Sequence, residues 1–445
     1  MLRLALAGLR ARPASFFGLA AAMFLAVAAI TLFGSLTAAA IASDGDSGLG
    51  VIAGAFGEVA MIMAVFAGVG TLGFAVRQQY REMALLRTIA ATPRQIRRLV
   101  RVQALGVVAA VSPPAWLAGS LGARFFLAEL AARGLAPTGA EIPGTPLPML
   151  IATTVTALVG GIATAFAAWR VSRRTPVAVL TDADSATDRL HWLRAVTGSL
   201  ILLGVGVLCT VIVRREPDDA AQGALLGALA MMAAVGLLGP VPARAVVTLL
   251  GAPLRGRRCP GGRLATANLR GHAHRLSSAV VPIALLVGLS TTFLAITGTI
   301  RHAAPPGTLH DAASDTDVWL RGVELAMLAC FGAVATLNTL ISLTLARRRE
   351  YALLALLGAT RAQLVRMLAV EAVLTAATGA VLGIAVAAPV GAAFALALTG
   401  SPIPWLAMGT YGPILAAAVL LAVGTMLLAG LRAVSRDPAT AMAAP

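Results

Sequence analysis

The chain contains no lysine: all 35 basic residues among its 445 are arginine. A phosphate-binding loop of the Walker A type needs a lysine to reach the terminal phosphates of a nucleotide, so the chain is not itself a P-loop ATPase. Cysteine is scarce, and Cys209, Cys259 and Cys330 lack metal-ligand spacing, which excludes a disulfide framework and a zinc site. His272 and His274 stand two apart in a basic stretch without a carboxylate or cysteine cluster, so no metal site is expected. Charged residues make up only 12 % of the chain, too few to clothe a water-soluble domain. No acid/base constellation lies along one face, so neither catalytic nor cofactor-binding residues are expected.

What the chain has instead is apolar surface, with 58 % hydrophobic residues and a mean hydropathy of +0.86. That composition defines an all-α polytopic membrane protein. Crossing a bilayer core of about 30 Å takes about 20 residues. Ten spans are expected, at about 16–42, 55–76, 102–127, 147–169, 195–213, 223–243, 277–300, 322–346, 367–398 and 411–431. A net charge of +16 would point to nucleic acid in a soluble protein, but here the arginines cluster at 77–101, 170–194, 244–275 and 347–366. With both termini on the cytoplasmic side, only Arg124, Arg133, Arg214, Arg215, Arg301 and Arg321 fall outside, which satisfies the positive-inside rule and removes nucleic acid as a partner. The N-terminal MLRLALAGLRARP reads as an amphipathic cytoplasmic helix ahead of an uncleaved first span rather than as a signal peptide. The longest outer loops, about 128–146 and 301–321, are too short for a globular domain, so no large extracytoplasmic domain is expected.

One stretch occurs twice. Arg81 to Gln103 returns without a gap, 268 positions later, as Arg349 to Glu371. Each copy opens with Arg-Glu (Arg81-Glu82, Arg349-Glu350) and runs through Ala-Leu-Leu, with Leu85, Leu86 and Leu353, Leu354. Each then breaks at Ala90-Ala91 or Gly358-Ala359 before a threonine. Thr92 and Thr360 each have a glutamine three residues on, Gln95 and Gln363, the pair that forms a capping box at a helix start. Pro93 suits the first helical position. The expected local structure is helix, tight turn, capped new helix, the second helix lying at the membrane surface before it enters the bilayer. Shorter matches extend the repeat: Leu4–Arg10 with Leu264–Arg270, Glu58–Met61 with Glu324–Met327, and Arg170–Pro176 with Arg432–Pro438. Each half is thus four spans with the capped piece between its second and third, and the fifth and sixth spans join two parallel halves.

This pattern, E-x-A-L-L-x-x-x-G/A-A-T-x-x-Q between a second and a third span in both halves, resembles the FtsX-like or MacB-like permease domain of type VII ABC transporters in its long ten-span form. The resemblance implies a first FtsX-like unit at 1–180 with a coupling helix at about 78–101, a two-span linker at 181–260, and a second unit at 261–445 with a coupling helix at about 347–368. It implies a non-catalytic permease subunit in the inner membrane of a bacterium. A separate cytoplasmic ABC ATPase, in two copies per permease chain, would bind ATP and Mg. The expected ATPase-coupling residues are Arg81, Glu82, Leu85, Leu86, Thr92, Gln95, Arg349, Glu350, Leu353, Leu354, Gly358, Thr360 and Gln363. The substrate class implied is amphipathic (a lipid, lipopeptide or peptide antibiotic) with membrane lipid as a partner. The alternatives are force relay to an outer-face partner without transport, and a secondary transporter, which would carry buried charge near the bilayer midplane.

The chain departs from the resemblance in two places. The loops at 43–54 and 301–321 are too short for the outer domain that many relatives carry, and Ala90 replaces the turn glycine in the first copy. Glu58 and Glu324 occupy equivalent places near the outer ends of the second and eighth spans, as candidate membrane-embedded acids. Glu371, where the first half has Gln103, stands at the inner end of the ninth span, within reach of an arginine. Pro113-Pro114 is expected to kink or break the third span, and Gly68, Gly70, Gly73, Gly379 and Gly383 to allow close helix contact.

Overall fold

The computed structural model describes residues 13–43, 48–78, 92–137, 139–172, 188–214, 217–255, 260–303, 315–406 and 408–434. Among these residues the regular structure is helical throughout, without a strand. The helices are α1 (Pro13–Ala42), α2 (Gly48–Gln78), α3 (Pro93–Ala132), α4 (Leu147–Ser172), α5 (Asp188–Ile212), α6 (Pro217–Leu238), α7 (Pro240–Leu250), α8 (Pro260–Gly271), α9 (Ala273–Ala303), α10 (Asp315–Ala346), α11 (Arg348–Leu356), α12 (Arg361–Thr399) and α13 (Met408–Val434). Eight of them are long and apolar enough to cross a membrane, nine if α6 and α7 count as one bent span, and α2 contributes the shorter apolar stretch Gly48–Ile62. An all-α polytopic membrane protein is therefore what the chain folds into.

Nine of the ten expected spans each correspond to one helix; the sixth, 223–243, does not. It ends at Leu238 and turns by 87° into α7. Gly239 takes φ +64°, a conformation costly for any residue with a side chain, and Pro240 then starts α7 without needing an N–H partner. Hydropathy alone runs straight through this break. A second correction concerns the capped helices. Neither α3 nor α12 begins as a separate surface helix: α12 is continuous over 39 residues, roughly 58 Å, so its first turns form a stalk continuous with the span. Pro113 and Pro114 do not break α3, which is helical through both. Beside them Trp116 Nε1 donates to Thr153 Oγ1 at 2.9 Å and Thr153 Oγ1 donates to Ser112 Oγ at 3.4 Å, a polar link between α3 and α4.

The contacts gather the chain into two compact units, Met1–Ala186 and Thr187–Pro445. In the first, α1 packs along α2 and α3, with Phe33, Phe56 and Phe126 forming a triad of rings 5.5 to 6.0 Å apart. In the second, α9 lies at the centre between α12, α10 and α6. One buried cluster joins α9, α10, α12 and α13 through Ile283, Leu340, Ala376 and Ala422. Another, with Val205, Ile212, Ile296, Val390 and Phe394, seats the α5–α6 pair on α9 and α12, so the two helices without a counterpart pack within the second unit.

The α9–α12 contact is close because both helices present glycine. A Cβ on Gly383 would stand 2.8 Å from the Ala284 carbonyl oxygen and 2.9 Å from the Gly288 nitrogen. Backbone cannot yield as a side chain can, so Gly383→Ala is expected to destabilise the second unit by about 1–3 kcal/mol. Gly204→Ala, on α5 with nothing within 4 Å of the added methyl, serves as the control and is expected to be neutral or mildly stabilising. Thermal unfolding of the detergent-purified chain distinguishes the two.

Candidate functional site

The repeated piece is described in full only in its second copy. Arg81, Glu82, Leu85 and Leu86 lie outside the described residues. What is described of the first copy is its helix start: Thr92 Oγ1 accepts from Gln95 N–H at 3.3 Å, and Gln95 Oε1 accepts from Thr92 N–H at 2.8 Å. Thr360 and Gln363 make the same reciprocal pair at 3.3 and 3.0 Å. Both satisfy the otherwise free amides that open a helix.

Between α11 and that cap, the chain turns at Gly358. Its φ is +96°, its N–H donates to Ala355 O at 3.0 Å, and the Ala359 N–H donates to Leu354 O at 3.0 Å. This is the Schellman arrangement, in which a left-handed residue closes the last helical turn. Ala90 stands at the matching position of the first copy, where a left-handed turn would cost an alanine about 1 kcal/mol or more.

The helix before the turn is short and two-sided. α11 follows α10 after a single-residue break at Arg347, a break that hydropathy did not mark. One face of α11 is buried: Tyr351 packs with Ala265, Met367 and Leu368, and Leu354 rests against the same cluster. The other face is bare, with Leu353 48 %, Leu356 64 % and Leu357 84 % exposed. Of the two leucines expected to meet a partner, Leu353 therefore points outward and Leu354 inward. Leu356 and Leu357 were missed because they read as ordinary helical apolar residues.

At its root α11 is tied to three other helices by charge. Glu371, on α12, has no exposed surface. Arg347 Nη1 donates to its Oε2 at 2.5 Å and Arg347 Nη2 to its Oε1 at 3.3 Å, while Asn268 Nδ2 from α8 donates to Oε1 at 2.6 Å. The same Arg347 donates through Nε to Glu350 Oε2 at 2.9 Å, and Arg275 on α9 donates to the other oxygen of Glu350. The Arg347 guanidinium also lies 5.2 Å from the centre of the Tyr351 ring. Burial alone would raise the Glu350 carboxyl, but hydrogen bonds and charge from Arg347 and Arg275 outweigh it and hold it below the usual carboxylate range. Glu350 is thus committed to pairing within the chain. Arg349 lies in α11 beside it.

The other singled-out residues stand apart from this cluster. Glu58 is ten residues into α2 and exposed, and Glu324 is nine residues into α10 and partly buried. Among the described residues no group of histidine, cysteine and acidic side chains is arranged to hold a metal. Cys209 and Cys330 are free thiols, and Cys259 lies outside the described residues.

Each capped helix start, at Thr92 and at Thr360, opens a helix of 39 or 40 residues that is long and apolar enough to cross a membrane. The family model described as FtsX-like permease C-terminal matches residues 54–176 and 322–438, more than half of the chain, and the chain belongs to that family. The matched segments cover α2 to α4 and α10 to α13, with both capped helix starts, Thr92 and Thr360, inside them. No curated protein matches the chain. Members of the family are in general non-catalytic membrane subunits that work with an ABC ATPase.

In the repeat, Arg347 and Glu371 correspond to Gln79 and Gln103, so a charged pair in one half stands where the other half has two amides. Gln103 is buried and its Oε1 finds no partner among the described residues; residue 79 lies outside them. Replacing only one member of the buried ion pair leaves an uncompensated charge, so Arg347→Gln or Glu371→Gln is expected to cost about 3–5 kcal/mol. The double variant, which reproduces the amide pair of the first half, is expected to recover most of that loss in a double-mutant cycle of thermal unfolding. Additive losses would show that the two side chains act separately.

Proposed function

We propose that the chain is the membrane subunit of an ABC transporter, moved by a cytoplasmic ATPase dimer that docks on its two capped turns. The observation that carries this reading is α11, a short helix pinned at its root and bare at its tip. A packed helix moves as a unit, so a push on Leu353, Leu356 and Leu357 passes through the Arg347 cluster to α8, α9 and α12. The repeat puts a matching piece in each half, which supports one permease chain for two ATPase subunits. The absence of lysine, which leaves this chain without a P-loop, supports assigning ATP and Mg to those partners. The positive-inside pattern supports cytoplasmic termini and a position in the inner membrane of a bacterium.

The cargo that fits is amphipathic: a lipid, lipopeptide or peptide antibiotic, exported or extracted from the bilayer. Force relay to an outer-face partner uses the same lever, but the short segments at 43–54 and 301–321 offer that partner little surface. A secondary transporter is disfavoured even though Glu371 is buried. Its charge is already neutralised by Arg347, and it lies about 15 Å from the start of α12, toward the arginine-rich end of the unit.

Exposed apolar anchors at a docking site carry much of its affinity. Leu353→Asp combined with Leu357→Asp is expected to lower the affinity for the co-expressed ATPase by about thirtyfold, with an unchanged thermal midpoint. Undiminished co-purification would remove this tip from the docking role. In the assembled wild-type complex, ATP hydrolysis stimulated by an amphipathic peptide or lipid is the expected signature of transport, and hydrolysis indifferent to both is that of force relay.

A further inference from the structure

The exposed side chains of α3 change character along its length. Arg94, Arg98 and Arg101 stand at steps of four and three residues over its first turns, and all three are exposed. None of them pairs with a carboxylate among the described residues. At further steps of four the same line becomes apolar, with Leu105 40 %, Leu117 62 % and Leu121 55 % exposed. It ends at Arg124, which is exposed again.

Because α3 is helical throughout, sequence separation converts to length. From Arg101 to Arg124 the rise is roughly 34 Å. A hydrocarbon core is about 30 Å thick, with a headgroup layer of about 5–8 Å on each side. The apolar line therefore spans one core, and the arginines at its two ends lie level with the headgroups. Arg98 stands roughly 4.5 Å beyond Arg101, in the same layer, and Arg94 roughly 10 Å beyond it, at the water side.

The second unit lacks this ladder. In the repeat, Ala362 and Ala369 of α12 stand where α3 has Arg94 and Arg101, and of the three arginines only Arg98 has a match, Arg366. Both halves form the capping box, so the cap does not need the ladder. Arginine recognises phosphate through paired donors of its planar fork. We propose that the arginine-rich end of α3 binds an anionic phospholipid, its phosphate between Arg98 and Arg101 and its acyl chain along Leu105. The surface is open, so the chain needs no cavity. An acidic protein surface reaches Arg94 at the water side, whereas Arg98 and Arg101 stand at the depth of lipid phosphates. The site does not depend on the ATPase reading, and it gives the first unit a response to lipid charge that the second lacks.

The test uses the full chain in detergent, with native mass spectrometry against phosphatidylglycerol, phosphatidylcholine and inorganic phosphate. Wild type is expected to retain phosphatidylglycerol about tenfold better than phosphatidylcholine, as two arginines beside an anionic headgroup require. Arg98→Gln combined with Arg101→Gln is expected to remove that preference and, because both side chains are exposed, to leave the thermal midpoint unchanged. Arg361→Gln combined with Arg366→Gln removes the same charge from exposed positions of the second unit and is expected to leave the preference intact. If the first variant does not fold, the comparison of lipids on wild type and on the second-unit variant decides the matter. Equal retention of the two lipids by wild type, or loss of the preference in the second-unit variant, overturns the proposal. Undiminished preference in the first variant also overturns it, and makes the ladder a protein contact where co-purification of the ATPase falls. Displacement of the lipid by inorganic phosphate overturns it as well and makes this a site for a free anion.

Discussion

A carboxylate with no exposed surface must be met by a positive charge or lose its own. In this protein that constraint falls on Glu371. The partner it finds, Arg347, is the single residue between α10 and α11, and Arg347 in turn holds Glu350 on α11. Asn268 from α8 and Arg275 from α9 complete the set. Separating Arg347 from Glu371 would leave buried charge without compensation, which costs far more than an exposed ion pair gains. The root of α11 is therefore fixed to the bundle by electrostatics as well as by the packing of Tyr351, while Leu353, Leu356 and Leu357 toward its tip are exposed among the described residues.

This division between a fixed root and a bare tip gives the family assignment its physical content. Members of the family in general work with an ABC ATPase. A short helix ending in a Schellman turn and followed at once by a capped helix is a stiff structure, because both of its boundaries are hydrogen-bonded. The 39 residues of α12 then run unbroken from that turn to Thr399, so displacement at one end of the helix is displacement along its length. The contact of α12 with α9 through Gly288 and Gly383 carries it sideways into the centre of the second unit.

Much of this was legible in the sequence, and the parts that were not have identifiable causes. The spans follow from hydropathy, and the two helix starts follow from Thr92 with Gln95 and Thr360 with Gln363, because capping is local. The bend at Gly239-Pro240 was also locally encoded, but a hydropathy window averages across a break when both sides are apolar. The Arg347 cluster was out of reach. Arg347 and Asn268 reach Glu371 from 24 and 103 positions away, and only helix phase and packing decide that Arg347, rather than either neighbouring arginine, turns inward to Glu371. The same limit applies to Leu353 and Leu354, adjacent residues with identical chemistry that end on opposite faces of α11. The exchange of Arg347 and Glu371 for Gln79 and Gln103 was visible from the repeat alone, but it has meaning only once the pair is known to touch.

The central claim is that the chain offers two matching turns to one motor on one side of the bilayer. Single cysteines at Thr92 and Thr360, in a background lacking Cys209, Cys259 and Cys330, test it with a membrane-impermeant maleimide. Neither is expected to label in intact cells, and both are expected to label in inside-out membrane vesicles. Labelling of one position from outside would place the two turns on opposite faces and contradict the account.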